Sequence, residues 1–201
     1  SSQAEQETYK QAYDAGVIIV AAAGNDNSSE PFYPASYDNV ISVSATDFNN
    51  VKAPYSNSGS YIDIAAPGGD TSSDRNNDGS QDGVLSTLVD TTNGARRAAY
   101  SSYQGTSMAA PHVSGVLALM KAVLPSLTPS DVDVLLTSGS LTNDIGRAGR
   151  DDLFGYGIID ALLAVKTSEQ LANGGTLPDL PPLFVASPSS LNFGLSTTTI
   201  P

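Results

Sequence analysis

The sequence predicts an α/β fold built on a mostly parallel sheet covered by helices in three layers, and three of its features lead there. A polar, Glu- and Gln-rich stretch from Gln3 to Ala15 stops at Gly16 and gives way to Val17-Ile18-Ile19-Val20-Ala21-Ala22-Ala23. That run is continuous, β-branched at its start and of strand length, as expected of a strand buried on both faces. Helix, glycine and buried strand together make an α/β crossover unit. Two further apolar runs, Val40–Ala45 and Tyr61–Ala66, repeat the strand signature, and Pro67-Gly68-Gly69 ends the second. Finally, Thr106 to Leu124 is apolar, rich in small residues and closed by Pro125. It predicts a helix buried on most of its circumference.

The remaining elements follow in order. Residues 24–38, with Pro31 and Pro34, form a loop, and Asp70 to Gly83 forms a longer one of Asp, Asn, Gly and Ser. Val84–Val89 and Ala98–Tyr103 are positioned to pair as a hairpin. Thr128-Pro129-Ser130-Asp131 places a capping hydroxyl before a proline at the first helical position, which opens a helix to about Ser138. A last helix is expected from Ile158 to about Leu171. Asn173-Gly174-Gly175 and the prolines at 178, 181 and 182 then mark a linker. The expected division is therefore one domain over 1–171, and over 172–201 a linker with the truncated start of a β-sandwich-like module too short for its own core.

Composition narrows the function. Of 201 residues, 40% are hydrophobic and 15% charged, and 21 acidic against 9 basic side chains give a formal charge of −12. The one basic cluster is Arg96-Arg97, so nucleic-acid binding, which needs concentrated positive charge on phosphates, is not expected. No apolar run approaches the ~20 residues of a membrane span. Cysteine is absent, so the fold owes nothing to disulfides. The chain opens on Ser1-Ser2-Gln3 without Met or a leader pattern, as a fragment or processed product does.

The chemistry concentrates in Gly105-Thr106-Ser107-Met108-Ala109-Ala110-Pro111-His112-Val113-Ser114-Gly115. A Ser in the first turn of a helix lies among backbone N–H groups that have no partner within the helix, where the macrodipole favours negative charge. A nucleophile attacking a carbonyl needs such surroundings, because the oxyanion that forms must be stabilised beside it. A lone Ser there would be a helix cap. The whole segment, however, closely resembles the nucleophile signature of the subtilisin family of serine proteases, with Ser107 at the nucleophile position. Ala22-Ala23-Gly24-Asn25 independently resembles that family's oxyanion strand, which implies that Asn25 donates its amide to the oxyanion and that Ala22 and Gly24 line the substrate side-chain pocket. Read alone, Asn25 is a turn residue beside a glycine. The resemblance continues through Tyr33–Tyr37, Val40–Thr46, Tyr55-Ser56-Asn57-Ser58-Gly59, Ile64–Gly68 and Gly155–Ala161, so it covers about residues 9–166. It implies the C-terminal half of a subtilisin-like domain, a polypeptide substrate and secretion.

Catalysis by Ser, His and Asp needs a base and a carboxylate to orient it. The sole histidine, His112, follows Ser107 by five helical residues, which puts it ~7.5 Å along the axis and ~140° around it. It cannot reach the hydroxyl and is expected to be a structural core residue. The resemblance implies an Asp and a His before residue 1, so the chain alone should be inactive and should have the missing N-terminal half as its partner.

Asp74-Arg75-Asn76-Asn77-Asp78-Gly79-Ser80-Gln81-Asp82-Gly83 resembles the first half of a calcium loop, with Asp74, Asn76, Asp78 and Asp82 as candidate ligands. Its oxygen-only donors suit Ca²⁺; the alternative is a solvated Asp/Asn/Gly loop. Arg147, Arg150, Asp151 and Asp152 read as solvated surface, and Tyr100 and Tyr103, beside the Ser motif, as packing residues in preference to substrate contacts. Two rival functions remain: a pseudo-protease that keeps the fold for binding, and a calcium-stabilised interaction domain.

Overall fold

The computed structural model describes residues 2–92 and 94–178. The expected β-rich module therefore lies outside the described residues. The chain begins with α1 (Gln3–Asp14), capped by the Ser2 hydroxyl, which accepts from Glu5 N–H. Next come β1 (Val20–Ala22), β2 (Ile41–Thr46), β3 (Ile64–Pro67), β4 (Val84–Asp90), β5 (Arg97–Tyr103), α2 (Thr106–Val123) and α3 (Pro129–Thr137). The two-residue strands β6 (Thr142–Asn143) and β7 (Ile158–Ile159) and the helix α4 (Ala161–Ala172) follow.

The main sheet has the order β1-β2-β3-β7-β6. Its first four strands are parallel, with Val20 beside Ile41, Val43 beside Ile64 and Ala65 beside Ile158, and β6 pairs antiparallel to β7. β4 and β5 form the expected hairpin as a separate antiparallel sheet. Alternation sorts the residues of the central strands onto two faces. Ile41, Val43, Ala45, Ile64 and Ala66 pack against Ala109, Val113, Val116, Leu117 and Met120 of α2. On the opposite face Ala65 packs with Phe154, Ile158 and Ile145, and Ser44 Oγ donates to Leu153 O at 2.7 Å.

Several elements depart from the sequence expectation. β1 is three half-buried residues instead of a run buried on both faces, and Val17 is 51% exposed. It is the outermost strand of the sheet, so no neighbour covers its far edge. α2 buries one stripe (Thr106, Ala109, Val113, Val116, Leu117 and Met120) and leaves the other side open, including Leu119 at 53% exposure. The last helix starts at Ala161 because Ile158–Ile159 pair as β7 and Asp160 caps the helix, accepting from Leu163 N–H. The cap of α3 is as expected, with Thr128 and Asp131 exchanging bonds as a capping box.

The 147–152 loop is also more than solvated surface. Arg150 donates to the carbonyls of Ser60 and of Ile62, the latter at 3.1 Å. The Asp151 carboxylate accepts from the N–H groups of Arg147, Leu153 and Phe154. Together they tie the loop to the end of the sheet.

Candidate active site

Two turns meet at the C-terminal ends of β1 and β3. One carries Asn25 just past β1; the other carries Ser107 in the first turn of α2. The N-cap of α2 is Gly105, which has no side-chain capping bond. Ser107 is therefore not a capping residue. It lies exposed in the helix's first turn, and its N–H has no hydrogen-bond partner among the described residues.

Thr106 joins the two turns. Its N–H and its hydroxyl both donate to Asn25 Oδ1 at 2.9 Å, and its hydroxyl accepts from Gly24 N–H at 3.2 Å. With the Asn25 carbonyl oxygen held this way, the planar amide must turn its Nδ2 donors away from Thr106. Those donors have no acceptor among the described residues. An unpaired backbone N–H at Ser107 and a fixed side-chain amide at Asn25 thus lie at the first turn of α2, two donors of the kind that stabilise an oxyanion.

Gly24 is constrained on two counts. Its φ is +107°, and an added Cβ would lie 2.3 Å from Asn57 Nδ2 and 3.1 Å from Phe32 Cγ. Ala22 is half-buried at the end of β1 and Gly24 is buried just beyond it, so both adjoin Asn25.

His112 is exposed rather than buried in the core, because it lies on the uncovered side of α2. Its Nδ1 lies 2.8 Å from Met108 O. It forms no bond to Ser107, in keeping with the helical geometry.

Among the described residues the acidic loop makes no hydrogen bond to Asn25, Thr106 or Ser107. Asp74 accepts from Asp78 N–H at 3.2 Å and Gly79 N–H at 3.0 Å, and Asn76 Oδ1 also accepts from Asp78 N–H at 3.0 Å. Asp82 instead accepts from Arg75 N–H at 2.6 Å. Among the described residues no three His, Cys, Asp or Glu side chains are grouped so as to hold a metal ion. Arg75 pairs with the buried Asp47 carboxylate at 3.1 Å and anchors this loop to the body.

Sequence reasoning assigns no role to Thr106, Tyr55 or Asn57. Thr106 lies within the nucleophile signature, but its contact with Asn25 spans 81 positions and leaves no local trace. Tyr55 and Asn57 adjoin the Asn25 and Ser107 turns through contacts that are also distant in sequence.

A model described as the Subtilase family matches residues 1–157. The minor extracellular protease Epr of Bacillus subtilis is 34% identical over 151 residues, covering 74% of this chain and 20% of that protein. Subtilisin BL of Lederbergia lenta is 36% identical over 151 residues, covering 75% of this chain and 47% of that protein. Among solved structures, a protease from Pseudoalteromonas arctica superposes with a TM-score of 0.70 at 36% identity, covering 83% of this chain and 47% of that one. The chain thus spans less than half the length of these relatives.

Proposed function

The chain belongs to the subtilase family, and from that membership we propose that it supplies the nucleophile and oxyanion site of a secreted serine endopeptidase. Ser107 Oγ would attack the scissile carbonyl of a polypeptide and form an acyl-enzyme. Its proton would pass to a histidine oriented by an aspartate, both contributed by sequence outside residues 1–201. The Ser107 N–H and Asn25 Nδ2 would receive the oxyanion. Loss of one such donor costs about 2.7–4 kcal/mol of transition-state stabilisation, a magnitude measured on a subtilisin. Ala22 and Gly24 would line the pocket for the substrate side chain.

The observation that carries this reading is the pair of hydrogen bonds that Thr106 N–H and hydroxyl donate to Asn25 Oδ1, which turns the amide donors away from Thr106. Secretion is supported by relatives named as extracellular proteases. No helix among the described residues is long and apolar enough to cross a membrane.

The test is labelling of the full-length protein with a fluorophosphonate probe. Labelling is expected in the native protein, lost in Ser107→Ala, and absent from the 201-residue chain alone. A properly folded full-length protein that takes no label would be a pseudo-protease.

Calcium at Asp74, Asn76, Asp78 and Asp82 is a second proposal. It is supported by the wrapping of Asp74, Asn76 and Asp78 around one turn, and it would require Asp82 to swing away from Arg75. Millimolar Ca²⁺ should then raise the Tm of the native chain and leave that of Asp78→Asn unmoved. Equal Tm values with Ca²⁺ and with a chelator would end it.

A further inference from the structure

We propose that Tyr55-Ser56-Asn57 is a positioning clamp that holds the Asn25 turn and the Ser107 turn at a fixed separation. The clamp rests on the roles given above to Asn25 and Ser107, and it makes no contact with substrate itself.

Tyr55 grips the nucleophile side. Its hydroxyl accepts from Gly105 N–H at 2.9 Å and donates to Gly69 O at 2.7 Å. Gly105 lies two residues before Ser107, so this hydroxyl ties the entry to α2 to the end of β3. A Cβ at Gly68 would lie 2.8 Å from the Tyr55 hydroxyl and 2.4 Å from Ala45 Cβ, so the approach needs a glycine there. Burial pushes the Tyr55 hydroxyl up to about 12, which keeps it a donor through the alkaline range.

Asn57 grips the oxyanion side. It is 1% exposed, and its amide bonds to the turn that carries Asn25. Its Nδ2 donates to Ala23 O at 3.1 Å, and its Oδ1 accepts from Asp26 N–H at 2.9 Å and Ser28 N–H at 3.1 Å. The backbone adds Asn57 N–H to Gly24 O at 3.0 Å and Asn27 N–H to Tyr55 O at 2.8 Å. One buried side chain thus fixes the chain on both sides of Asn25.

Ser56 anchors the pair to the sheet. Its hydroxyl accepts from Ala45 N–H of β2 at 3.0 Å and donates to Asn57 O at 3.0 Å. The three consecutive residues therefore connect the core strand, the oxyanion turn and the nucleophile turn. Oxyanion donors act over a narrow distance range, and a displacement of about 1 Å in a catalytic group can cost about a hundredfold in rate. The clamp accordingly acts on kcat.

The test is steady-state kinetics of the full-length protein on a peptide substrate, with Tm measured for each variant. Tyr55→Phe, which removes a single hydroxyl, should lower kcat about tenfold with KM unchanged. Asn57→Ala should lower kcat by about a hundredfold when Asn25 is present but by less than about threefold in an Asn25→Ala background, where there is no amide left to position. Equal losses in both backgrounds, unchanged kcat in Tyr55→Phe, or an effect confined to KM would overturn the clamp. An unchanged kcat in Ser107→Ala would remove the catalytic site itself, and the clamp with it.

Discussion

Asp63 is a charged side chain whose titration is set by its place in the fold. It falls within the run Tyr61–Ala66 that the sequence reads as a strand, and the structure places it immediately before β3. Its half-buried carboxylate accepts from Ser42 N–H at 2.8 Å, and partial desolvation raises its pKa to about 6 against the pull of that bond and of Arg150. The unfolded chain titrates near the ordinary value of about 3.9. Between those two values the folded state holds a proton that the unfolded state lacks, so this group adds stability as pH falls from 7 toward 4. Asp63→Asn keeps an acceptor for Ser42 and removes the penalty of a buried charge. It should be more stable than the native chain at pH 7, by on the order of 2–3 kcal/mol, with the difference reduced to about 1 kcal/mol near pH 4.5. Urea unfolding of both proteins at the two pH values measures this, and a constant difference would refute it. At this scale the sequence marks candidate residues better than it marks their surroundings. Ser107 and Asn25 could be singled out because their motifs are local, whereas the exposure of His112 and the partial burial of Asp63 depend on elements far away in the chain.

Among the elements, α2 ties the fold to the site, because the helix that presents Ser107 at its first turn also forms the seam with the sheet. Ala109, Val113, Val116, Leu117 and Met120 follow helical spacing along that seam. The periodicity made the helix legible, but its small residues carried no clue that only one face would be covered. Met120 is fully buried in the cluster with β2 and β3. Met120→Ala should therefore destabilise the chain by about 2–5 kcal/mol. Leu119→Ala, one residue away and exposed, should change stability by less than about 0.5 kcal/mol. Denaturant titration of the pair separates the two faces, and similar costs would mean that the uncovered side is also packed. β1 departs from its sequence pattern for a related reason. A continuous apolar run implies burial on both faces, but how much of it becomes strand depends on a neighbour's pairing, and β1 pairs with β2 alone.

At the scale of the whole molecule, the uncovered faces of β1 and α2 belong to one surface. A groove of about 480 Å³ runs between Gly16–Val20 on one side and Ser114, Leu117, Ala118 and Lys121 on the other. An open strand edge beside apolar side chains is a template for pairing with another chain. Parallel sheets are ordinarily covered and paired throughout, so the groove is where the proposed N-terminal half of the domain would seat, extending the sheet past β1. That half would have to bring its histidine to the end of β1, where Thr106 already joins the Asn25 turn to the Ser107 turn. The chain alone should then bind a hydrophobic dye and self-associate as its concentration rises. Adding the N-terminal half in trans should suppress both and restore probe labelling at Ser107. Replacing Val17 with Lys, on the exposed edge, should weaken that complementation while leaving the fold of the chain intact. A chain that stays monomeric, binds no dye and gains no labelling from the added half would mean that the groove is finished surface and that the missing catalytic groups are not supplied across it.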